Sequence, residues 1–278
     1  MAVSLKLRRR LRTIKNLNSI FNALQIITTA RLQKTREKHR HAQHFLESLT
    51  TMSQDFDFSR FNKSSKAGKT LAILISPNRG FCGAFNTNLF YRAQNFIREA
   101  KREVEFVAFG RKGLEFLKVK KYYAASSYLA EDYDFHFFAG ILDQVLQRWE
   151  REEISETYLI YNHFHTVMRQ DAVSSRTLPV ESGPARSWNK YIVEPERKAV
   201  AEKIFKYRLA AQLYFAYLDS QLGELSSRLF TMKGAIENSK ELIDGLILNI
   251  NKERQQSVTR ELLEIIGATE GVKEEETF

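Results

Sequence analysis

His163 and His165 flank Phe164 at strand spacing, so their side chains share one face of an extended segment, as two ligands of a divalent metal would. No third ligand stands in an obvious place beside them. His39, His41 and His44 lie in a charged helical stretch where only the 41/44 pair shares a face, and both groups read as surface histidines. The sole cysteine, Cys82, excludes an internal disulfide and a cysteine-cluster metal site. As a nucleophile it lacks an evident activating neighbour, so a half-buried structural thiol is expected. Around it the segment SPNRGFCGAFNTN, Ser76–Asn88, follows a strand pattern and precedes a helical one, the place where backbone N–H groups cradle a phosphate. Its Gly80 and Gly83 do not make a GxGxxG and no GxxxxGK[ST] follows, so a tight structural turn is the better reading. The neighbouring carboxylates Glu152 and Glu153 sit at a charged helix end without an accompanying base or nucleophile. These residues compose no catalytic constellation, and no cofactor or metal is expected.

Charge is the stronger signal. Lys6, Arg8, Arg9, Arg10, Arg12, Lys15, Arg31, Lys34 and Arg36 all precede the first acid, Glu37, although like charges four residues apart on a helix repel. Such imbalance calls for an acidic partner, and the net charge of +10 agrees. Nucleic acid is one such partner, yet interleaved aromatics for base stacking are missing.

The elements that must carry these residues are unusual in length. From Leu218 to Ile250 the residues Leu218, Leu222, Leu225, Leu229, Met232, Ile236, Ser239, Ile243, Leu246 and Ile250 recur in alternating steps of four and three, a coiled-coil seam broken only at Ser239. Near the other terminus Leu7, Leu11, Ile14, Leu17, Phe21, Leu24 and Ile27 keep helical spacing. All four prolines lie between positions 77 and 195, which leaves a first helix over 3 to about 55 and a second over about 196 to 266. At 1.5 Å per residue these span about 80 and 105 Å, far beyond the usual globular helix, and predict that the termini wrap around each other as a shaft.

The centre reads as β-α-β: strands at Thr70–Ser76 and Val104–Gly110 around a helix near Asn86–Arg102, then a helix at Phe135–Glu150 and strands at Thr157–Phe164 and Ala172–Val180. The expected fold class is therefore α/β, a long antiparallel coiled coil plus a small Rossmann-like domain with a mostly parallel sheet. The expected division is 1–67 for the first shaft helix, 68–195 for the α/β domain and 196–278 for the second helix with a frayed acidic tail, Lys273–Phe278. Gly183, Pro184 and Pro195 punctuate the return into that helix, while Gly223, Gly234 and Gly245 recur along it every eleven residues. These three glycines either are tolerated or mark a surface that something approaches closely. No stretch has the apolar length of a membrane span, and the charged start is unlike a secretory signal.

These motifs together resemble the γ subunit of F-type ATP synthase. Leu5–Lys34 resembles that family's opening helix, and ISPNRGFCGAFNTNL, Ile75–Leu89, resembles its central turn, usually written DRGLCGxxN. Ser226–Ala268 follows the pattern in which RMxAMKxATxNA leads to NKxRQxxITxEL. Gln25, Thr28 and Thr29 depart from more typical Lys, Met and Ala, and Gly223–Glu224–Leu225 stands where a Ser-Glu-His run is common. The resemblance implies a non-catalytic rotor shaft along the axis of a hexamer of α and β subunits, coupling ion-driven rotation of a membrane ring to the β subunits' conformations. It implies that Arg8, Arg9, Arg10, Arg12 and Lys15 face acidic β loops, and that Arg254, Gln255 and Thr259 meet β catch loops. An ε subunit and the membrane ring (c-ring) are the implied partners at the foot. The implied location is peripheral, on the cytoplasmic side of a bacterial plasma membrane. The alternative is a basic coiled-coil nucleic-acid-binding protein with an α/β head.

Overall fold

Strand β1, Lys69–Ile75, is buried at every residue after the first, because both faces of the sheet it centres are covered. The computed structural model describes residues 2–56, 58, 68–180, 194 and 196–275, with side chains from Leu5 to Ile266. In chain order the elements are α1 (Ala2–Ser53), β1, α2 (Phe85–Glu99), β2 (Val104–Phe109), α3 (Arg111–Lys120), β3 (Ala124–Tyr128), α4 (Phe135–Glu150), β4 (Ile154–Thr166), β5 (Arg169–Leu178) and α5 (Arg197–Glu275). The sheet order is β3-β2-β1-β4-β5, with all pairs parallel except β4 and β5. The expected α/β class with a mostly parallel sheet is therefore observed.

Alternation along β1 divides the core. Ala72 and Leu74 face Leu89, Ala93 and Phe96 of α2 and Leu117 of α3. Leu71, Ile73 and Ile75 face the opposite side, where Phe138, Leu142 and Val145 of α4 join Phe205, Leu209 and Leu218 of α5. Asp134 starts α4 by accepting a hydrogen bond from the Phe137 N–H at 2.9 Å, satisfying one orphan donor of the first turn.

Two elements absent from the expectation are α3 and β3. At the start of α3, Gly110 holds φ +84° with Ser76 so close that a Cβ would lie 1.9 Å from its carbonyl oxygen. Only glycine fits there. β3, AASSY, is a short edge strand defined by its pairing to β2 rather than by any pattern of its own.

The described residues form two compact units, Thr28–Thr231 and a second made of Met1–Ile27 with Met232–Phe278. In the first, Thr35 approaches Gln221, His39 bonds Asp219, and Ser53 accepts from Arg208. Partner numbers fall on α5 as they rise on α1, so these helix segments are antiparallel. Leu32 of α1 packs with Leu222 and Leu225 of α5.

Of the seam positions expected on α5, Leu218, Leu222, Leu225, Met232, Ile236 and Leu246 are buried, and Leu229, Ile243 and Ile250 are half-buried. On α1 the phase differs from the expected one. Leu17 and Ile27 are 43% and 53% exposed, whereas Leu7, Leu11, Ile14, Asn18, Phe21, Gln25, Thr28, Leu32, Thr35, His39 and Ala42 are half-buried or buried. A strict 3.5-residue period carries polar side chains into that stripe, and tracking apolar residues alone slips off it. Gly183, Pro184 and Pro195 lie outside the described residues; α5 continues to Glu275, and 276–278 lie outside.

Candidate functional site

Arg254, Gln255 and Thr259 lie on one exposed stretch of α5. The Thr259 hydroxyl donates to the Gln255 backbone carbonyl at 3.0 Å, one turn back, while among the described residues the Gln255 side-chain amide and the Arg254 fork have no partner. The surrounding surface is apolar, with Val258, Leu262, Leu263, Ile265 and Ile266 all exposed by 48 to 64%. Sequence reasoning passed over this patch, although LLEII at Leu262–Ile266 is too continuous to be buried along a single seam. An exposed apolar run of this kind marks a surface that another molecule covers.

The basic residues Arg8, Arg9, Arg10, Arg12 and Lys15 are all exposed on α1. None is paired with an acid among the described residues. At about 100° per residue, Arg8, Arg12 and Lys15 share one face, while Arg9 and Arg10 point about 100° and 200° around the helix from Arg8. The start of α1 is therefore positive over much of its circumference. Further along, Arg31 and Lys38 are neutralised within the chain, by Glu131 at 2.9 Å and Asp132 at 2.7 Å. Arg79 shares Glu131, and these cations hold its carboxyl below the usual range, Arg31 contributing most.

The turn around Cys82 is structural. Arg228 Nε donates to the Gly80 carbonyl at 3.3 Å, and the Ser227 hydroxyl donates to that of Cys82 at 2.7 Å. Cys82 is 2% exposed, more buried than expected, and burial pushes its thiol pKa up. A thiol so placed is a poor nucleophile. The first-turn N–H groups of α3 at the sheet's carboxyl edge are also occupied, Arg111 donating to Asn78 Oδ1 and Gly113 to Ser76 Oγ.

The surface reading fails for two histidines. His39 Nε2 lies 2.9 Å from Asp219 Oδ1 and His163 Nδ1 lies 2.6 Å from Oδ2, while the Phe164 N–H donates to the same Oδ2 at 3.2 Å. Asp219 is fully buried, so α1, β4 and α5 meet at one carboxylate. The correct heptad phase on α1 would have placed His39 on the seam. His165 pairs with Asp171 at 3.0 Å, and His41 and His44 remain exposed. Among the described residues no three His, Cys, Asp or Glu side chains are grouped as metal ligands, and no helix is long and apolar enough to cross a membrane.

Of the three recurrent glycines, Gly223 packs against a neighbour: a Cβ there would meet the Phe85 ring at 3.1 Å and Gln170 Cγ at 3.2 Å. Gly234 and Gly245 face open space.

Comparison with known proteins gives one answer. The ATP synthase family model matches residues 4–272. The ATP synthase gamma chain of Geotalea uraniireducens is 31% identical over 98% of this chain and 100% of its own. That of Geobacter metallireducens is 30% identical with the same coverage. A chain of the Euglena gracilis mitochondrial ATP synthase shares the fold with a TM-score of 0.70 and 19% identity, over 98% of this chain and 95% of that one. A chain of the Tetrahymena thermophila mitochondrial ATP synthase central stalk and c-ring gives 0.62 and 21%, over 78% and 99%. With its antiparallel helices and five-stranded sheet matched from end to end, the chain belongs to the ATP synthase gamma-chain family.

Proposed function

We propose that this chain is the central-stalk rotor shaft of an F-type ATP synthase, coupling ion-driven rotation of a membrane ring to conformational cycling of catalytic β subunits. The observation that carries the reading is family membership over the full chain, joined to a pair of long helices whose outer surface is apolar and positively charged. Such a surface suits a sleeve of other subunits. The chain itself has no catalytic part in this reading. A shaft transmits work by binding one conformation of its partner better than another, and its surface supplies that difference.

In this reading Arg8, Arg9, Arg10, Arg12 and Lys15 face acidic loops of the β subunits, and Arg254, Gln255 and Thr259 engage β loops higher on the shaft. An Arg fork grips a carboxylate bidentately and keeps its charge, which suits a contact made and broken at each step. The partners are the α and β subunits, an ε subunit and the membrane ring, with the chain held peripherally on the cytoplasmic side of a bacterial plasma membrane. The shaft would fall within 1–67 and 196–278, built on α1 and α5, with 68–195 as the foot. The nucleic-acid reading has no supporting feature: the unpaired basic surface carries no aromatic platform.

The test is reconstitution. Mixing the full chain with α and β subunits of a bacterial enzyme should yield a stoichiometric complex whose sustained ATP hydrolysis exceeds that of α and β alone. Failure to assemble with cognate subunits refutes the shaft role. In the assembled complex Arg254→Ala should lower coupled turnover while leaving the isolated chain's unfolding unchanged; unaltered coupling would remove Arg254 from the contact.

A further inference from the structure

A cavity of about 300 Å³ lies between α1, α5 and the face of the sheet formed by β4 and β5. Every residue that lines it belongs to the unit Thr28–Thr231. Arg208 and Gln212 enter it from consecutive turns of α5, and Tyr161 and Ser175 rise from the two strands. Leu46, Leu159, Phe215 and Ala216 supply apolar walls.

Unused hydrogen-bonding capacity sets this cavity apart. Among the described residues Arg208 makes a single hydrogen bond, from Nη1 to Ser53 Oγ at 3.1 Å, and has no carboxylate partner. A guanidinium carries five N–H donors in a fixed fork, so four point elsewhere. Burial pushes its pKa down, and no acid raises it again. Gln212, Tyr161 and Ser175 make no side-chain hydrogen bond to any described residue. Burial pushes the Tyr161 hydroxyl up to about 12, so at neutral pH it is a donor. Among the described residues no acidic side chain lines the space. Elsewhere in this unit the cations Arg31, Lys38, Arg79, Arg148 and Arg228 each have an acid within reach. A half-buried cation left uncompensated is costly to keep.

We propose that this cavity is a binding site for a small monocarboxylate, with Arg208 gripping the carboxylate, Tyr161 and Gln212 donating to it, and the apolar walls holding a short hydrocarbon tail. One guanidinium neutralises one negative charge. A phosphate dianion would remain half-compensated and would meet Leu159 and Phe215 where it needs donors. The volume sits at the lower end of the ligand-site range, which restricts the tail to a short chain. The site shares α1 and α5 with the shaft but none of the residues proposed to meet other subunits, Arg8 to Lys15 and Arg254 to Thr259.

The test is a titration of the full-length chain with ¹³C-labelled butyrate followed by NMR, with acetate and inorganic phosphate as comparators. Butyrate should bind saturably and raise the unfolding temperature, acetate should bind more weakly for lack of a tail, and phosphate should not compete. Arg208→Gln should weaken butyrate binding at least tenfold while leaving the ligand-free chain equally or more resistant to urea, because it removes an uncompensated charge. Ser175→Leu, which fills the cavity and spares Arg208, should abolish binding and keeps the test alive if the first variant folds poorly. No saturable binding by the wild type, equal binding by Arg208→Gln, or competition by phosphate as strong as by butyrate would each overturn the proposal.

Discussion

Replacing Asp219 by alanine removes a buried carboxylate on which three elements converge. Hydrogen bonds to a charged group contribute about 1.5–3 kcal/mol each, so the three together amount to roughly 4.5–9 kcal/mol gross. Removing the charge also removes its desolvation cost, which offsets several kcal/mol and leaves a net destabilisation of about 3–5 kcal/mol. Asp219→Asn keeps an oxygen for His163 and the Phe164 N–H and turns an amide toward His39, whose Nε2 then accepts. That variant should cost only about 1–2 kcal/mol, the difference between a charged and a neutral acceptor. Urea unfolding at pH 7, followed by far-UV circular dichroism and by tryptophan fluorescence, reads both, since Trp149 lies in the core of the same unit. Combining Asp219→Ala with His163→Ala should cost clearly less than the sum of the two, because both break one node. A cost below about 1 kcal/mol for Asp219→Ala, or additivity in the pair, would refute the argument that this carboxylate ties the helices to the sheet.

Other consequences are simpler to measure. Cys82 should react with a thiol reagent at pH 8 far more slowly in the native chain than in urea, because burial both shields the thiol and raises its pKa. Glu131 has a folded pKa depressed below 4.5, so its stabilisation is present above that value and is lost as pH falls through the depressed one. The stability gap between wild type and Glu131→Gln should accordingly be open at pH 6 and narrow as the pH falls below 4.5. Gly245→Ala and Gly234→Ala meet no neighbour within 4 Å and should each stabilise the isolated chain by about 1 kcal/mol, whereas Gly110→Ala should destabilise it by several times that. Thermal unfolding of the three variants checks the order.

What the sequence disclosed depended on whether a feature was periodic. The helix at Phe135–Glu150 stood at its observed bounds because its apolar residues recur at helical spacing behind a capping Asp134. The α5 seam was legible for the same reason. α3 was lost because RKGLEFLKVK is short and highly charged, and β3 because AASSY acquires its strand character from β2. The His39–Asp219–His163 node was illegible in a stronger sense: its members are far apart in sequence, and only the antiparallel helix register together with the packing of α5 on β4 brings them together. Arg254, Gln255 and Thr259 came from motif likeness alone, since the contacts proposed for them lie outside the chain and leave no periodic trace in it.

The acidic loop between β3 and α4 holds both long helices from outside the core. Its Glu131 and Asp132 carboxylates grip Arg31 and Lys38 of α1, and the Glu131 carbonyl accepts from Tyr217 and Gln221 of α5, both at 3.4 Å. Those carboxylates are half exposed, so their pairs part and re-form in contact with solvent, while the Asp219 node cannot open without admitting water to a dry site. The loop is thus the fastening that exchanges partners with water, and the node the one that does not. Mobile ions screen only the first. The loop's hold on α1, unlike the hold of the Asp219 node, should therefore weaken as the ionic strength of the medium rises.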